Sequence, residues 1–581
     1  MKSRTSYFNR TVLLKDITRF APVWSLYTIF LLLVLLLQSD ISSAAFANNV
    51  TYLFSGTASI NLIYAAVSAT LLFGDLFNTR MCNALHAMPM RREGWFLTHV
   101  TSGLLFAAVP NVLVTLLSFA FLQEYFYMGL IWLAICMLEY LFFFGVAVFS
   151  VMCAGNRLAM FAIYGLINLF AMLCCWIIQQ LYMPLLLGLQ LNSAPFELLT
   201  PCVQLTTLDF VDTDYDKIMG FVWNGFLPGE RVYLSILAVV GAVLLWLALL
   251  LYRRRQLEWA GDFITLKPVR IFFLLVYTIL AGLMLYALFE SFGFESPYLL
   301  LILGLLIGFF TGKMLLDRTV RVFSRKNWLR FLALAGSVIL SLAVTRLDPI
   351  GLTRYIPRTA QIQSARIYDD NFAYMGGPLE RTEEAEIDYV RSLHQLILDN
   401  RIYGGRLCEI TVQYTLKNGA TVTRYYDVPY TDATSDAFKE LFTSPEYILQ
   451  TYDWEKTVAG LNAVEIKLYN VEEYSRLSGY KNDDCYLIEP EDIKALMDAV
   501  YQDCLEGNMA QNSRYHEDDE FVANLWLGVP FTDDGRNRQI FVGTNGRLVS
   551  SQWFQGLTIY SNCTHTIAFL EENIAYMQKH S

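Results

Sequence analysis

Long apolar stretches alternate with short Arg- and Lys-rich segments over the first 350 residues. A helix crossing a bilayer needs roughly 20 mostly apolar residues, because its backbone has no water to bond to inside hydrocarbon. Nine stretches fit, at about 22–38, 52–74, 96–122, 128–152, 158–180, 232–252, 270–290, 298–316 and 331–347, the last one short. After Asp348-Pro349 the pattern changes to short alternating runs and amphipathic helices. Gln361–Tyr368 and Ala463–Asn470 alternate as strands do. Glu383–Leu398 and Glu491–Leu505 repeat apolar residues at helical spacing, with Ile387, Val390 and Leu393 in one and Ile493, Leu496 and Val500 in the other. Each is followed by strands with an Asn-Gly turn, Asn418-Gly419 and Asn545-Gly546, which suggests a weak internal repeat. The predicted fold is a polytopic α-helical membrane protein with about nine spans and a C-terminal soluble α+β domain.

Composition agrees. Of the 581 residues, 55% are hydrophobic and only 17% charged, with ten cysteines, which excludes a simple soluble, disordered or disulfide-scaffold chain. Residues 1–350 carry 23 basic and 18 acidic side chains; residues 351–581 carry 20 and 35. The acidic balance argues against nucleic acid as a partner. Of the 23 basic residues, 20 fall in the N-terminal segment and in alternate loops: Arg80, Arg91 and Arg92; Arg157; Arg253 to Arg255, Lys267 and Arg270; and Lys313 to Arg330. By the positive-inside rule the N-terminus is cytoplasmic and, after nine spans, the C-terminal domain extracytoplasmic. Ala45-Phe46-Ala47 has the form of a signal-peptide cleavage site, but the apolar run from Pro22 to Leu37 and the basic lead before it favour an uncleaved anchor.

Residues 8–24 predict an amphipathic helix, with Leu13, Ile17, Phe20 and Trp24 on one face and Lys15 and Arg19 opposite. The loop after the second span predicts another. Phe77, Met81, Ala84, Leu85 and Met88 share one face; Thr79, Asn83 and His86 share the other. Pro89 stops it, and Arg91, Arg92 and Glu93 follow. An apolar, Met-rich face suits a partner's groove; it would equally suit folding back on the bundle.

The run Arg80-Met-Cys-Asn-Ala-Leu-His-Ala-Met-Pro-Met-Arg-Arg-Glu-Gly94 resembles the first cytoplasmic loop of ABC transporter permeases of the type-2 exporter superfamily. The resemblance covers about residues 1–255: an amphipathic start at 8–24, a coupling helix at 76–94, and an outward insertion at 181–231. It implies a six-span permease-like domain over 1–255, three additional spans over 256–348, and an extracytoplasmic domain over 349–581, as in a bacterial branch with such additions. It further implies a cytoplasmic ATPase subunit that contacts Phe77, Met81, Ala84, Leu85, Met88, Arg91, Arg92 and Glu93, a second permease subunit in a homo- or heterodimer, and transport outward across the cell membrane.

The chain carries no nucleotide chemistry of its own. Gly308-Phe-Phe-Thr-Gly312-Lys313-Met314 is one residue short of a phosphate loop and lacks the Ser/Thr that binds magnesium. The chain is thus expected to be no enzyme and to bind no cofactor, with ATP and magnesium on the partner. No metal site is expected: His516-Glu517 has Glu520 where a zinc site needs histidine, and the run Glu517–Glu520 lacks the spacing of a calcium loop. The six histidines form no constellation. Cys408, Cys485, Cys504 and Cys563 suit either one or two disulfides or free thiols. Within the spans, Glu139 is the costly residue, at about 2.5–3.5 kcal/mol if ionised. It marks a candidate translocation path with Asn61, Asn111 and Asn168, or else interhelical glue. Leu181–Leu191 is too short to span and predicts an interfacial or re-entrant helix; Asp209, Asp212, Asp214 and Asp216 then face outside. The sequence therefore points to the permease subunit of an ATP-driven exporter. The alternatives are a membrane-anchored sensor of a peptide or envelope ligand, and a secondary transporter working through Glu139.

Overall fold

The computed structural model describes residues 8–37, 43–86, 91–122, 126–207, 211–216, 220–226, 228–256, 259–294, 298–369, 379–399, 407–429, 432–480, 485–509, 521–530, 539–542, 548–576 and 578–579. Met88, Asp209, the acidic run Glu517–Glu520 with His516, and the Asn545-Gly546 turn lie outside these residues, as do the side chains of Leu85, Cys408, Ala45–Ala47 and Asp212–Asp216. The chain forms two compact units: Met1–Leu185 with Leu191–Leu347, and Leu186–Gln190 with Asp348–Ser581.

The first unit is helical. In order it runs α1 (Arg10–Arg19), α2 (Ala21–Leu37), α3 (Ser43–Leu72), α4 (Thr79–His86), α5 (Arg92–Leu122), α6 (Phe126–Cys153), α7 (Arg157–Leu181), α8 (Ala194–Leu198), α9 (Pro201–Thr207), the hairpin β1 (Val211–Asp216) and β2 (Gly220–Phe226), α10 (Pro228–Arg254), α11 (Lys267–Ser291), α12 (Tyr298–Asp317) and α13 (Arg325–Leu347). Seven of these, α5, α6, α7 and α10 to α13, are long and apolar enough to cross a membrane. α1 and α2 meet at 59° and as a pair make an eighth candidate. The second expected stretch falls on α3, a helix of 30 residues whose side chains are described from Gly56 on.

α6 is the hub. Its sequence is apolar all round, as a helix enclosed on every side must be, and 67% of its span is buried against 11% of α13. It packs against α3, α5, α7 and α10. Small residues set the closest crossing. A methyl on Gly145 of α6 would strike Gly241 O of α10, and one on Gly241 would meet Leu141 O at 2.7 Å. α11 and α12 use the same device: Gly304, Gly308 and Gly312, one turn apart, bring α12 against Ala281, Thr278 and Tyr277. The glycine run that reads first as a truncated phosphate loop is thus a helix–helix seam.

The insertion after α7 departs from expectation. Leu181–Leu191 is not one interfacial helix: α7 ends at Leu181, a 3-10 turn covers Met183–Leu185, and Leu186–Gln190 joins the second unit. There Gly188, at φ +75°, accepts from Tyr425 N at 3.1 Å, and a Cβ on it would strike the Tyr426 ring.

The second unit holds β3 (Ile362–Asp369), α14 (Glu384–Asp399), β4 (Leu407–Leu416), β5 (Thr421–Pro429), α15 (Asp432–Phe442), α16 (Pro445–Thr451), α17 (Trp454–Gly460), β6 (Ala463–Leu468), β7 (Cys485–Leu487), α18 (Pro490–Leu505), β8 (Phe521–Pro530), β9 (Gln539–Val542), β10 (Leu548–Tyr560), α19 (Thr564–Asn573) and β11 (Gln578–Lys579). The sheets are ordered β3-β4-β5 and β11-β7-β6-β8-β10-β9. In each, the strand after the long helix lies antiparallel beside an earlier strand: β4 beside β3, and β8 beside β6, with the short β7 that precedes α18 on the far side of β6. The next long strand then pairs on the other side, β5 on β4 and β10 on β8. Ile387, Val390 and Leu393 bury against the first sheet; Ile493, Leu496 and Val500 bury in the core of the second. Cys485, Cys504 and Cys563 are buried thiols with no disulfide among the described residues.

His394 lies fully buried on α14 between two tyrosines, with Nδ1 3.0 Å from Tyr414 Oη and Nε2 2.7 Å from Tyr426 Oη. Burial, with Arg424 nearby, pushes its pKa down to about 4. The unfolded chain binds this proton near pH 6.5, so the unfolded state holds more protons between those values. Stability is therefore full above about pH 6.5 and falls as pH drops toward 4, by on the order of 3 kcal/mol. Urea unfolding of the full-length protein followed across this range should show that loss, and His394→Gln should flatten it; a wild-type midpoint that does not move with pH would contradict the assignment.

Candidate functional site

The predicted coupling segment is built in two pieces. Gly74–Phe77 forms a 3-10 turn whose Leu76 is buried and whose Phe77 packs on the bundle core. Asn78 then caps α4, its Oδ1 accepting from Arg80 N at 3.0 Å. The helix spans Thr79–His86, not 76–94, and α5 starts at Arg92. Phe77 therefore does not share a helical face with Met81 and Ala84. Among its described side chains α4 buries Cys82, whereas Met81, at 45% exposure, and Ala84 stay open to the surroundings. Arg91 is exposed; Arg92 and Glu93 turn inward. Arg92 Nη1 donates to Arg253 O at 3.4 Å and Arg255 O at 3.2 Å, and Glu93 Oε1 lies 3.2 Å from Arg253 Nε.

The anchor of this segment is Arg255, only 6% exposed. Its Nη1 donates to Val151 O at 2.9 Å and Met152 O at 3.2 Å; its Nη2 donates to Ala154 O at 2.9 Å and Leu76 O at 3.4 Å. The C-terminal carbonyls of α6 carry the negative end of the helix dipole and keep lone pairs to spare, so a guanidinium suits them. One side chain thus ties the end of α10 to the end of α6 and to the turn that leads into α4. The segment after it extends the clasp: Gly155 N donates to Phe263 O at 3.4 Å, Thr265 N to Cys153 O at 3.0 Å, and Thr79 Oγ1 to Ala260 O at 3.5 Å.

α1 joins the same end of the bundle through a polar contact that its apolar face conceals. Asp16 lies on the face of Leu13, Ile17 and Phe20 and is buried. Its Oδ2 sits 2.7 Å from His99 Nδ1 and accepts from Ser102 Oγ at 2.8 Å, both on α5. His99 in turn meets Trp95 edge-on at 4.2 Å. The sequence signal for this contact is a lone acid on an apolar face, opposite His and Ser three positions apart.

Three of the four polar residues predicted within the spans come together. Asn61 Nδ2 donates to Glu139 Oε2 at 2.9 Å and to Cys136 O at 3.3 Å. Tyr27, which sequence patterning does not single out, bridges the rest: its hydroxyl lies 3.2 Å from Asn61 Oδ1 and 3.3 Å from Asn111 Nδ2. The network crosses α2, α3, α5 and α6, and Glu139 is fully buried there with Thr57 as a further partner. Asn168 stands apart on α7, donating to Tyr164 O at 2.9 Å.

The described histidines stand apart from one another, each with its own partners. Besides His99 and His394, His565 pairs with Glu506 at 3.0 Å, which raises its pKa, and Asp503 lies within metal-ligating reach of both. Asp503 already accepts from His565 N, Thr566 N and Thr566 Oγ1 at 3.0, 2.7 and 2.6 Å, the pattern of a cap on α19. No protein-family model matches the chain, and no curated protein or solved structure matches it.

Arg255→Gln should loosen the clasp and open the buried Cys82 beneath it. Maleimide labelling of the purified protein, mapped to the Cys82 peptide, should accelerate roughly tenfold or more, as expected when buried charge-assisted bonds worth a few kcal/mol are lost. An unchanged rate would show that α4 is held by other contacts.

Proposed function

We propose that the chain is the membrane-spanning permease subunit of an ATP-driven ABC transporter, an exporter that works with a separate cytoplasmic ATPase subunit and a second permease subunit. In this reading the chain crosses the cell membrane nine times, α1 lies at the cytoplasmic headgroup boundary, and the domain after Leu347 is extracytoplasmic. The observation that carries the proposal is the pairing of an open apolar residue with a rigid mount. α4 leaves Met81 exposed, yet the turn before it is tied by Arg255 to the ends of α6 and α10. A partner gripping α4 would move the hub helix and not merely a loop. The resemblance of the run from Arg80 to Gly94 to permease coupling loops supports the same reading.

The mechanism is a population shift. ATP binding draws two ATPase subunits together, α4 follows, and the equilibrium between two bundle arrangements is biased by the difference in ATPase affinity for them. No bond is made or broken in this chain; ATP and magnesium belong to the partner. A second reading, a secondary transporter, is favoured by the fully buried Glu139 carboxyl in that polar network. Transport that persists without ATP and needs a proton gradient would select it.

Replacing Met81 and Leu85 with Asp tests the first reading. The double variant should insert and melt as the wild type does but lose co-purifying ATPase roughly tenfold or more, the cost of placing charge at an apolar hot spot. Unchanged association together with unchanged transport would remove the coupling role.

A further inference from the structure

We propose that the basic end of α11, α12 and α13 binds the headgroup of an anionic phospholipid. An open groove of about 710 Å³ runs between these helices. It exists because the glycine seam locks α12 tightly to α11 while α13 packs loosely beside them. One end carries Lys267, Arg270, Lys313 and Arg330; the walls beyond are apolar, with Leu275, Phe309 and Leu334 among them.

Charge decides the occupant. Asp317 is the single acid lining the groove, and it is shared: Arg270 Nη2 lies 2.7 Å from its Oδ1 and Lys313 Nζ 2.8 Å from its Oδ2. Arg270 also donates to Leu316 O at 2.9 Å, and the Lys313 side chain is only 17% exposed, so these two cations are held in place. Lys267 and Arg330 have no ion-pair partner among the described residues. The groove therefore presents fixed cations and excess positive charge beside an apolar wall. Phosphate oxygens accept strong charge-assisted hydrogen bonds from such groups, and basic pockets between spans hold acidic lipid headgroups. A free phosphate would answer the cations but leave the leucines and Phe309 wet; an acyl-bearing phosphate answers both. The inference rests on the membrane reading and not on ATP-driven transport, so it stands or falls separately from the ATPase assignment.

The test uses the full-length protein purified in detergent, with lipid retention counted by native mass spectrometry. The probes are phosphatidylglycerol, phosphatidylcholine of the same acyl chains, and inorganic phosphate. Phosphatidylglycerol should be retained in preference to phosphatidylcholine, and inorganic phosphate should not displace it at equal concentration. Lys267→Gln combined with Arg330→Gln, whose wild-type side chains carry no ion pair that folding needs, should weaken phosphatidylglycerol binding on the order of 30-fold and leave phosphatidylcholine binding and the melting midpoint unchanged. Leu275→Trp, which fills the apolar wall, should lower retention without altering charge. Equal retention of the two lipids, or charge variants that bind phosphatidylglycerol as the wild type does, would overturn the proposal. Displacement by inorganic phosphate at equal concentration would overturn it in favour of a soluble-anion site.

Discussion

A guanidinium taken out of water must find acceptors, and Arg255 finds them on two backbone segments at once, the end of α6 and the turn at Leu76. The cost of burying that charge is several kcal/mol unless it is well bonded. Here the bonds come from carbonyls at the negative end of α6. The charge loses these acceptors if the segments separate. Arg92 and Glu93 add the start of α5 to the same clasp through the end of α10. The short helix α4 is therefore mounted on a rigid base while the side chain of Met81 remains open. That combination gives a small apolar surface mechanical consequence.

The rest of the helical unit follows from the absence of a hydrophobic driving force between helices in lipid. Close approach through Gly145 and Gly241, and through Gly304, Gly308 and Gly312, replaces it with backbone contact. Buried polar groups supply the remainder. Tyr27, Asn61, Asn111 and Glu139 tie α2, α3, α5 and α6 together, and Asp16 with His99 and Ser102 fastens α1 to α5. The second unit uses the ordinary alternative, amphipathic helices on antiparallel sheets, with His394 held neutral between two tyrosines.

Much of this architecture is legible in order along the chain, because span-length apolar runs and two-residue or helical periodicity are local signals. The strands at Ile362–Asp369 and Ala463–Leu468 and the helices at Glu384–Asp399 and Pro490–Leu505 fall within a residue or two of the periodic segments. The contacts that define the site are not local. Arg255 follows Arg253 and Arg254, and nothing in a run of three arginines tells which one turns inward. Asp16 reads as one more charge on a short helix until His99 and Ser102 are brought against it. The polar trio of Asn61, Asn111 and Glu139 is visible as unusual residues in apolar runs; Tyr27, their bridge, is not, since a tyrosine near a span end is commonplace. Nor does periodicity reveal that Leu186–Gln190 leaves the helical unit, because its registry is set by Gly188 meeting Tyr425 and Tyr426, far away in sequence.

The account turns on what touches α4 in the living cell. A photo-crosslinking residue introduced at position 81 in native membranes, followed by mass spectrometry of the adduct, asks this directly. The expected adduct is a cytoplasmic protein that carries a phosphate-binding loop. An adduct only with proteins accessible to membrane-impermeant reagents on intact cells, or the repeated absence of any ATPase from the adducts, would contradict it.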